Sequence, residues 1–307
     1  MNRSPMPSPT PPVCIFATLA IAAFCLPVVP IQAQKPAAAH TATAEIPAPD
    51  KPTPPATPEP SPDDAWLAST SKLYYSSAKA GLTGFDCNVH PDWRELIATA
   101  LHENALPPDD TRLALVKSST VALHSRLRGG VTFDWSDASA AKALDQQSAE
   151  TLTGFHQTVE QMLESFLQFW TPFIENSVVP DSAQGLDITH TPTVHTIHAK
   201  QGDTELTEVF SNDLILQEFN VNMSGTSIKF FPSYHSTSQG LLVSNFRAHV
   251  NPVGTPPDEA QDMTVDVHYQ PVNGFPIPDK LNIEVIGTGK FNFALDGCAT
   301  SATPSTK

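Results

Sequence analysis

From Met263 to Gln270 the chain alternates apolar and polar side chains, Met-Thr-Val-Asp-Val-His-Tyr-Gln, with every odd position apolar. A period of two gives a strand one buried and one wet face, so this segment belongs in a sheet covered on one side. Asn273-Gly274 follows, then Leu281-Asn282-Ile283-Glu284-Val285, Gly287-Thr288-Gly289 and Phe291-Asn292-Phe293-Ala294-Leu295. Asn-Gly between two alternating runs is a strong hairpin signal, because both residues tolerate the positive φ of a two-residue turn. The last third of the chain is therefore expected to be a twisted antiparallel meander.

The same pattern reaches back to residue 193. It predicts strands near 193–200, 204–210, 213–223, 226–235, 240–250, 262–271, 279–287 and 290–297, with turns at Gly202-Asp203, Ser224-Gly225 and Gln239-Gly240. Ahead of the meander the period changes. Leu152, Phe155, Val159, Leu163, Phe166 and Trp170 recur at spacings of three and four, which predicts a helix within 138–176. Beyond Phe166 its apolar surface widens to include Leu167, Phe169, Phe173 and Ile174, so this end needs neighbours on most sides; Pro172 should kink or stop it. Earlier, Asp63-Asp64 can cap a first helix, Phe85–Val89 reads as a strand, Pro91 starts a second helix, and 113–127 reads as one or two strands. The expected class is α+β: a curved antiparallel meander, as a half-barrel or incomplete barrel, wrapped around a long apolar helix.

The N-terminus reads as an export signal. Arg3 is the only charge before the apolar stretch Val13–Pro30, and Ile31-Gln32-Ala33 offers a cleavage site. Such a stretch is also just long enough for an uncleaved anchor, although Pro27 and Pro30 disfavour a spanning helix. Phe24 before Cys25 is too large for lipoprotein processing. Residues 34–62 carry nine prolines and no apolar periodicity, the composition of an extended, disordered linker. One domain over 63–299 and a short disordered tail, 300–307, complete the expected organisation.

Without Arg3, the 16 remaining basic residues face 32 acidic ones. That balance repels phosphate backbones and anionic headgroups, so nucleic acid is not an expected partner, nor is stable membrane insertion of the mature domain. Of four cysteines, Cys14 and Cys25 lie in the signal segment, leaving Cys87 and Cys298. An even pair in an oxidising compartment reads as one disulfide, the alternative being two buried thiols. The expected location is periplasmic or secreted.

No catalytic motif stands out. Ser227 near Gly225 lies in a strand, not on a nucleophile elbow, and Gly287-Thr288-Gly289 has no following helix to cradle a phosphate. Glu205 with Glu208, and Asp258 with Glu259, are close in sequence, but solvated surface positions explain them. His190, His195 and His198 are the densest histidine group; His195 and His198 should face opposite sides of a strand, and no metal or other cofactor is expected.

Three phrases carry a resemblance: Phe210-Ser211-Asn212-Asp213-Leu214-Ile215, Ser236-Thr237-Ser238-Gln239-Gly240-Leu241-Leu242, and Tyr269 to Pro278, Tyr-Gln-Pro-Val-Asn-Gly-Phe-Pro-Ile-Pro. Over about residues 190–290 the chain resembles the outer-membrane lipoprotein carrier and lipoprotein-sorting superfamily. The resemblance implies a half-barrel with an internal helix that holds acyl chains or other apolar ligands. The expected function is thus a non-enzymatic envelope carrier or sensor of a lipid or acyl chain, lined by Phe166, Trp170, Phe173, Phe219, Tyr234, Phe246, Val267 and Tyr269. The alternative is a protein-interaction module with a filled core that docks an envelope partner.

Overall fold

The computed structural model describes residues 60–303, apart from 104, 118, 128, 138–143, 176–177, 224 and 253–259. The expected signal segment, most of the proline-rich linker and residues 304–307 lie outside the described residues, as does the first part of the helix expected from 138. Four helices and twelve strands follow in the order α1 Pro62–Ser71, β1 Leu82–Pro91, α2 Trp93–Ala100, α3 Thr111–Val116, β2 Ser119–Arg126, β3 Gly130–Asp137 and α4 Gln146–Ile174. The meander comes next: β4 Asp187–His190, β5 Val194–Gln201, β6 Thr204–Ser211, β7 Leu216–Met223, β8 Thr226–Thr237 and β9 Gly240–Pro252. It ends with β10 Gln261–Val272, β11 Phe275–Val285 and β12 Gly289–Ala302. The fold is α+β, dominated by one open antiparallel sheet in the order β3-β2-β1-β12-β11-β10-β9-β8-β7-β6-β5-β4.

The hairpin reading of the sequence holds. Val272 pairs with Phe275 across Asn273-Gly274, whose φ angles of 51° and 86° are both positive. Six local readings change. Pro91 ends β1 opposite Phe293, and α2 starts at Trp93 behind the cap Asp92. Ser61 caps α1, with Asp63 and Asp64 in its first turn. Residues 113–116 form the end of α3 rather than a strand, because Asp110 caps that turn by accepting from the Arg112 N–H at 2.9 Å. Asp213 and Leu214 form a turn, with Leu214 at φ 63°, and β7 starts only at Leu216. Asp187–His190 is an additional edge strand. Thr300–Ala302, expected in the tail, belong to β12, where Ala302 pairs with Leu82.

The first strand of the sheet inserts beside the last: β1 pairs with β12 on one side and β2 on the other. A disulfide joins Cys87 of β1 to Cys298 of β12. No helix among the described residues is long and apolar enough to cross a membrane.

Helix α4 begins at Asp145, whose carboxylate accepts from the Ser148 N–H at 2.9 Å. Pro172 does not stop it at once; the helix runs two residues further. The buried carbonyls of Ile174 and Glu175 at its C-terminus are taken by the segment between α1 and β1. The Ile174 carbonyl accepts from the Ser77 N–H at 2.7 Å and the Ser77 hydroxyl at 2.9 Å. The Glu175 carbonyl accepts from the Ala78 N–H at 3.1 Å and the Ser76 hydroxyl at 2.9 Å. The same segment then reaches the sheet: Leu241 donates to the Leu73 carbonyl at 2.7 Å, and Tyr75 donates to the Leu241 carbonyl at 2.9 Å. This approach requires Gly240, which sits at φ 123° and where a Cβ would lie 2.8 Å from the Tyr75 nitrogen.

Candidate functional site

The aromatic residues expected to line a cavity divide into three groups. Phe173 of α4 meets Phe219 and Phe246 at centroid distances of 6.0 Å each, and Phe230, which the sequence reading omitted, at 6.2 Å. These rings come from neighbouring strands β7, β8 and β9 and fill the space over that half of the sheet. Trp170 is fully buried, lies 5.8 Å from Phe166, and meets Phe85 edge-on at 6.1 Å. Its indole N–H donates to the Tyr269 hydroxyl at 2.8 Å, and that hydroxyl donates to the Val243 carbonyl at 2.6 Å. Burial holds the Tyr269 phenol far above its usual range, so it remains a neutral donor. Tyr234 meets Tyr74 edge-on at 5.3 Å.

Around Trp170, then, the groups satisfy and cover one another. The apolar opening lies one to two turns back along α4. Met162, Ser165, Phe166 and Phe169 share one helix face, and opposite them stand Val250 of β9, Gln261, Met263 and Val265 of β10, and Ile283 and Val285 of β11. The register explains the wall: Met263 pairs with Val285 and Val265 with Ile283, so their side chains share the face turned to α4. No charged residue lines this slot, whose cavity volume is about 40 Å³. That is close to the share of one water molecule in the liquid, about 30 Å³. The two methionines make it adaptable, because an unbranched thioether re-packs with little strain.

A second, more polar opening lies where β9 and β10 part. Strands β9 and β10 pair only from Val250–Gln261 to Asn245–Asp266. Beyond that point Leu241 bonds to the segment from Leu73 to Tyr75, the Val243 carbonyl takes the Tyr269 hydroxyl, and the strands diverge. The fissure has a volume of about 340 Å³ and is lined by His235, Ser244, Asn245, Asp266 and His268, together with the buried Val267 and with Tyr269, whose ring lies 5.9 Å from that of His235. Asn245 donates to the Asp266 carboxylate at 2.6 Å across its inner end.

Glu208 corrects the sequence reading. Glu205 is exposed and pairs with Lys200, as a solvated position should. Glu208 is instead 4% exposed, between Ile197 of β5 and Phe219 of β7 in the cross-strand rows. Its Oε2 has no hydrogen-bond partner among the described residues, and burial pushes the carboxyl up to about 8. The signal was present in the alternation: Leu206, Glu208 and Phe210 share a face, and Phe210 is fully buried. Asp258 and Glu259 lie outside the described residues. Comparison of the chain with protein-family models, with curated proteins and with solved structures yields no match.

Proposed function

We propose that the protein is an exported, non-enzymatic carrier or sensor of an apolar chain of the acyl type, bound between α4 and the β9–β11 part of the sheet. The observation that carries this reading is the uncharged slot between Met162 and Met263, beside the filled Trp170 region and reaching about two turns back along α4. Four features support it. The sheet is open, so its curvature and the seat of α4 can adjust. The slot walls are mainly Val, Ile, Met and Phe side chains, with Ser165 and Gln261 as the polar members, and burying a chain there gains about 0.8 kcal/mol for each methylene. A slot of this size opens by rotation of the methionines, which makes binding an induced widening and not the filling of a ready cavity. The phrases that resemble the lipoprotein-carrier superfamily span the β6–β7, β8–β9 and β10–β11 turns of the meander.

The test is native mass spectrometry and Trp fluorescence of the purified protein with a lysophospholipid and with a free fatty acid. Uptake should occur in the unaltered protein and fall at least tenfold in Ser165→Glu, which sets a charge at the half-buried mouth of the slot. Failure of every lipid to bind overturns the carrier reading.

A second reading, an envelope interaction module with a filled core, is favoured by the complete burial of Trp170 and its paired N–H. In that case the polar fissure beside His235 and His268 is the recognition surface, open to a partner through its unshared strand edges. Ser165→Glu would then leave partner binding unchanged, while His268→Ala together with His235→Ala would weaken it.

A further inference from the structure

We infer that the β4–β5 hairpin is a binding site for a transition-metal ion, with His190 and His195 as ligands, Asp63 as the group that orients them, and Cu²⁺ as the ion it fits best. His190 and His195 lie directly opposite each other in the hairpin register. Odd spacing along one strand is therefore irrelevant; cross-strand pairing brings together two histidines five positions apart. Their Nδ1 atoms stand 2.8 Å apart. The turn between them is held by the Thr191 hydroxyl, which donates to the Val194 carbonyl at 2.8 Å and accepts from the Val194 N–H at 3.0 Å. Asn212 also bonds to the Pro192 carbonyl.

Asp63, in the first turn of α1, lies 3.1 Å from His190 Nε2. That contact places the His190 proton on Nε2 and leaves its Nδ1 as an acceptor, so in the metal-free protein His195 supplies the Nδ1–H between the rings. A carboxylate on the remote ring nitrogen is the usual outer partner of a metal-bound histidine. An ion that enters between the rings takes the Nδ1 lone pair of each; His195 changes to its other neutral tautomer, with its proton passing by way of solvent to Nε2. No net proton is released.

The 2.8 Å between the rings is the length of their N–H···N hydrogen bond, so a small rotation of one imidazole must turn both Nδ1 lone pairs onto the ion. The donor type selects the ion: imidazole nitrogens completed by water suit Cu²⁺, Ni²⁺ and Zn²⁺, and Cu²⁺ binds the tightest of the divalent series. The remaining positions face solvent, since His190 is 38% exposed, and would take water. The formal charge of −15 draws cations to the surface. Trp66 is 5.2 Å from both imidazole centroids and gives the site its own optical reporter.

Titration of the purified protein with CuSO₄, followed by Trp fluorescence and electron paramagnetic resonance, tests the proposal. One equivalent should quench Trp66 and give a tetragonal signal with two equatorial imidazole nitrogens. His190→Gln and His195→Gln should each weaken this site at least tenfold, and Asp63→Asn about tenfold. His198→Gln should not, because that ring bonds to the Thr207 hydroxyl at 2.9 Å. Circular dichroism checks that each variant folds. Should one fail, pulsed resonance of the unaltered protein still counts the coupled imidazoles. Fewer than two imidazoles, or an affinity unchanged in folded His195→Gln, overturns the assignment.

Discussion

Trp170 and Tyr269 are joined by a hydrogen bond of 2.8 Å from indole to phenol, and the phenol in turn closes the place where β9 and β10 part. Helix α4 is thereby pinned to the sheet where ladder pairing has stopped. In Tyr269→Phe the Trp170 N–H and the Val243 carbonyl both lose their partner. A buried group left in that state costs about 1–3 kcal/mol, so the urea midpoint should fall while the sheet signal in circular dichroism remains.

Glu208 makes stability depend on pH. Its folded-state value, about 8, is raised above the ordinary 4.5, so between those two values the unfolded chain releases a proton that the folded chain retains. Stability should therefore fall as pH rises from about 4.5 to 8, with a slope of up to about 1.4 kcal/mol per pH unit, and level off above. Glu208→Gln should remove that slope. Melting temperatures at pH 5 and pH 8 for both proteins give the comparison, and parallel curves would refute the assignment.

The disulfide closes a loop with a sequence separation of 211. Loop entropy for that length gives about 5 kcal/mol as an upper figure, because the reduced unfolded chain retains some structure. Reduction, or Cys87→Ala with Cys298→Ala, should lower the denaturation midpoint by several kcal/mol in equivalent free energy. A thiol assay on denatured, unreduced protein should find neither sulfhydryl free.

Gly240→Ala should be more damaging than an ordinary glycine substitution in a turn. The new Cβ would lie 2.8 Å from the Tyr75 nitrogen and 2.9 Å from the Tyr74 carbonyl carbon, at a φ that L side chains avoid. A loss of roughly 2–4 kcal/mol is expected, read as a lower melting temperature. Gly274→Ala, with open space around it despite a φ of 86°, should lose less.

Much of this architecture was legible in the chain. Strands β5, β6 and β8–β12 announce themselves by alternation, and Asn273-Gly274 marks its turn, because each is a local property of a half-buried strand. Helix α4 is legible for the same reason at a different period. What escaped is set by partners distant in sequence. Leu113–Val116 is apolar in either helix or strand, and the Asp110 cap decides it. Histidines 190 and 195 look unrelated until the hairpin register is known. The filled state of the Trp170 region depends on Phe85 and Tyr269, which lie 85 residues before it and 99 after. Glu208 escaped because a carboxylate in an alternating strand is ordinarily assigned to the wet face, and here its parity outweighs its charge.

The pairing of β1 with β12 fixes when the domain can form. Residues 82–91 are made early, yet one of their two ladders needs residues 293–302, which are made about 200 residues later. A ribosome adds about 5–20 residues each second, so β1 waits on the order of ten seconds or more for its partner. During that interval the early strands have β2 and β3 but no finished sheet, and the thiol of Cys87 has no Cys298 to meet. A chain ordered this way keeps β1 half-paired until β12 emerges, so closure of the sheet and oxidation of the cysteine pair both wait for that strand.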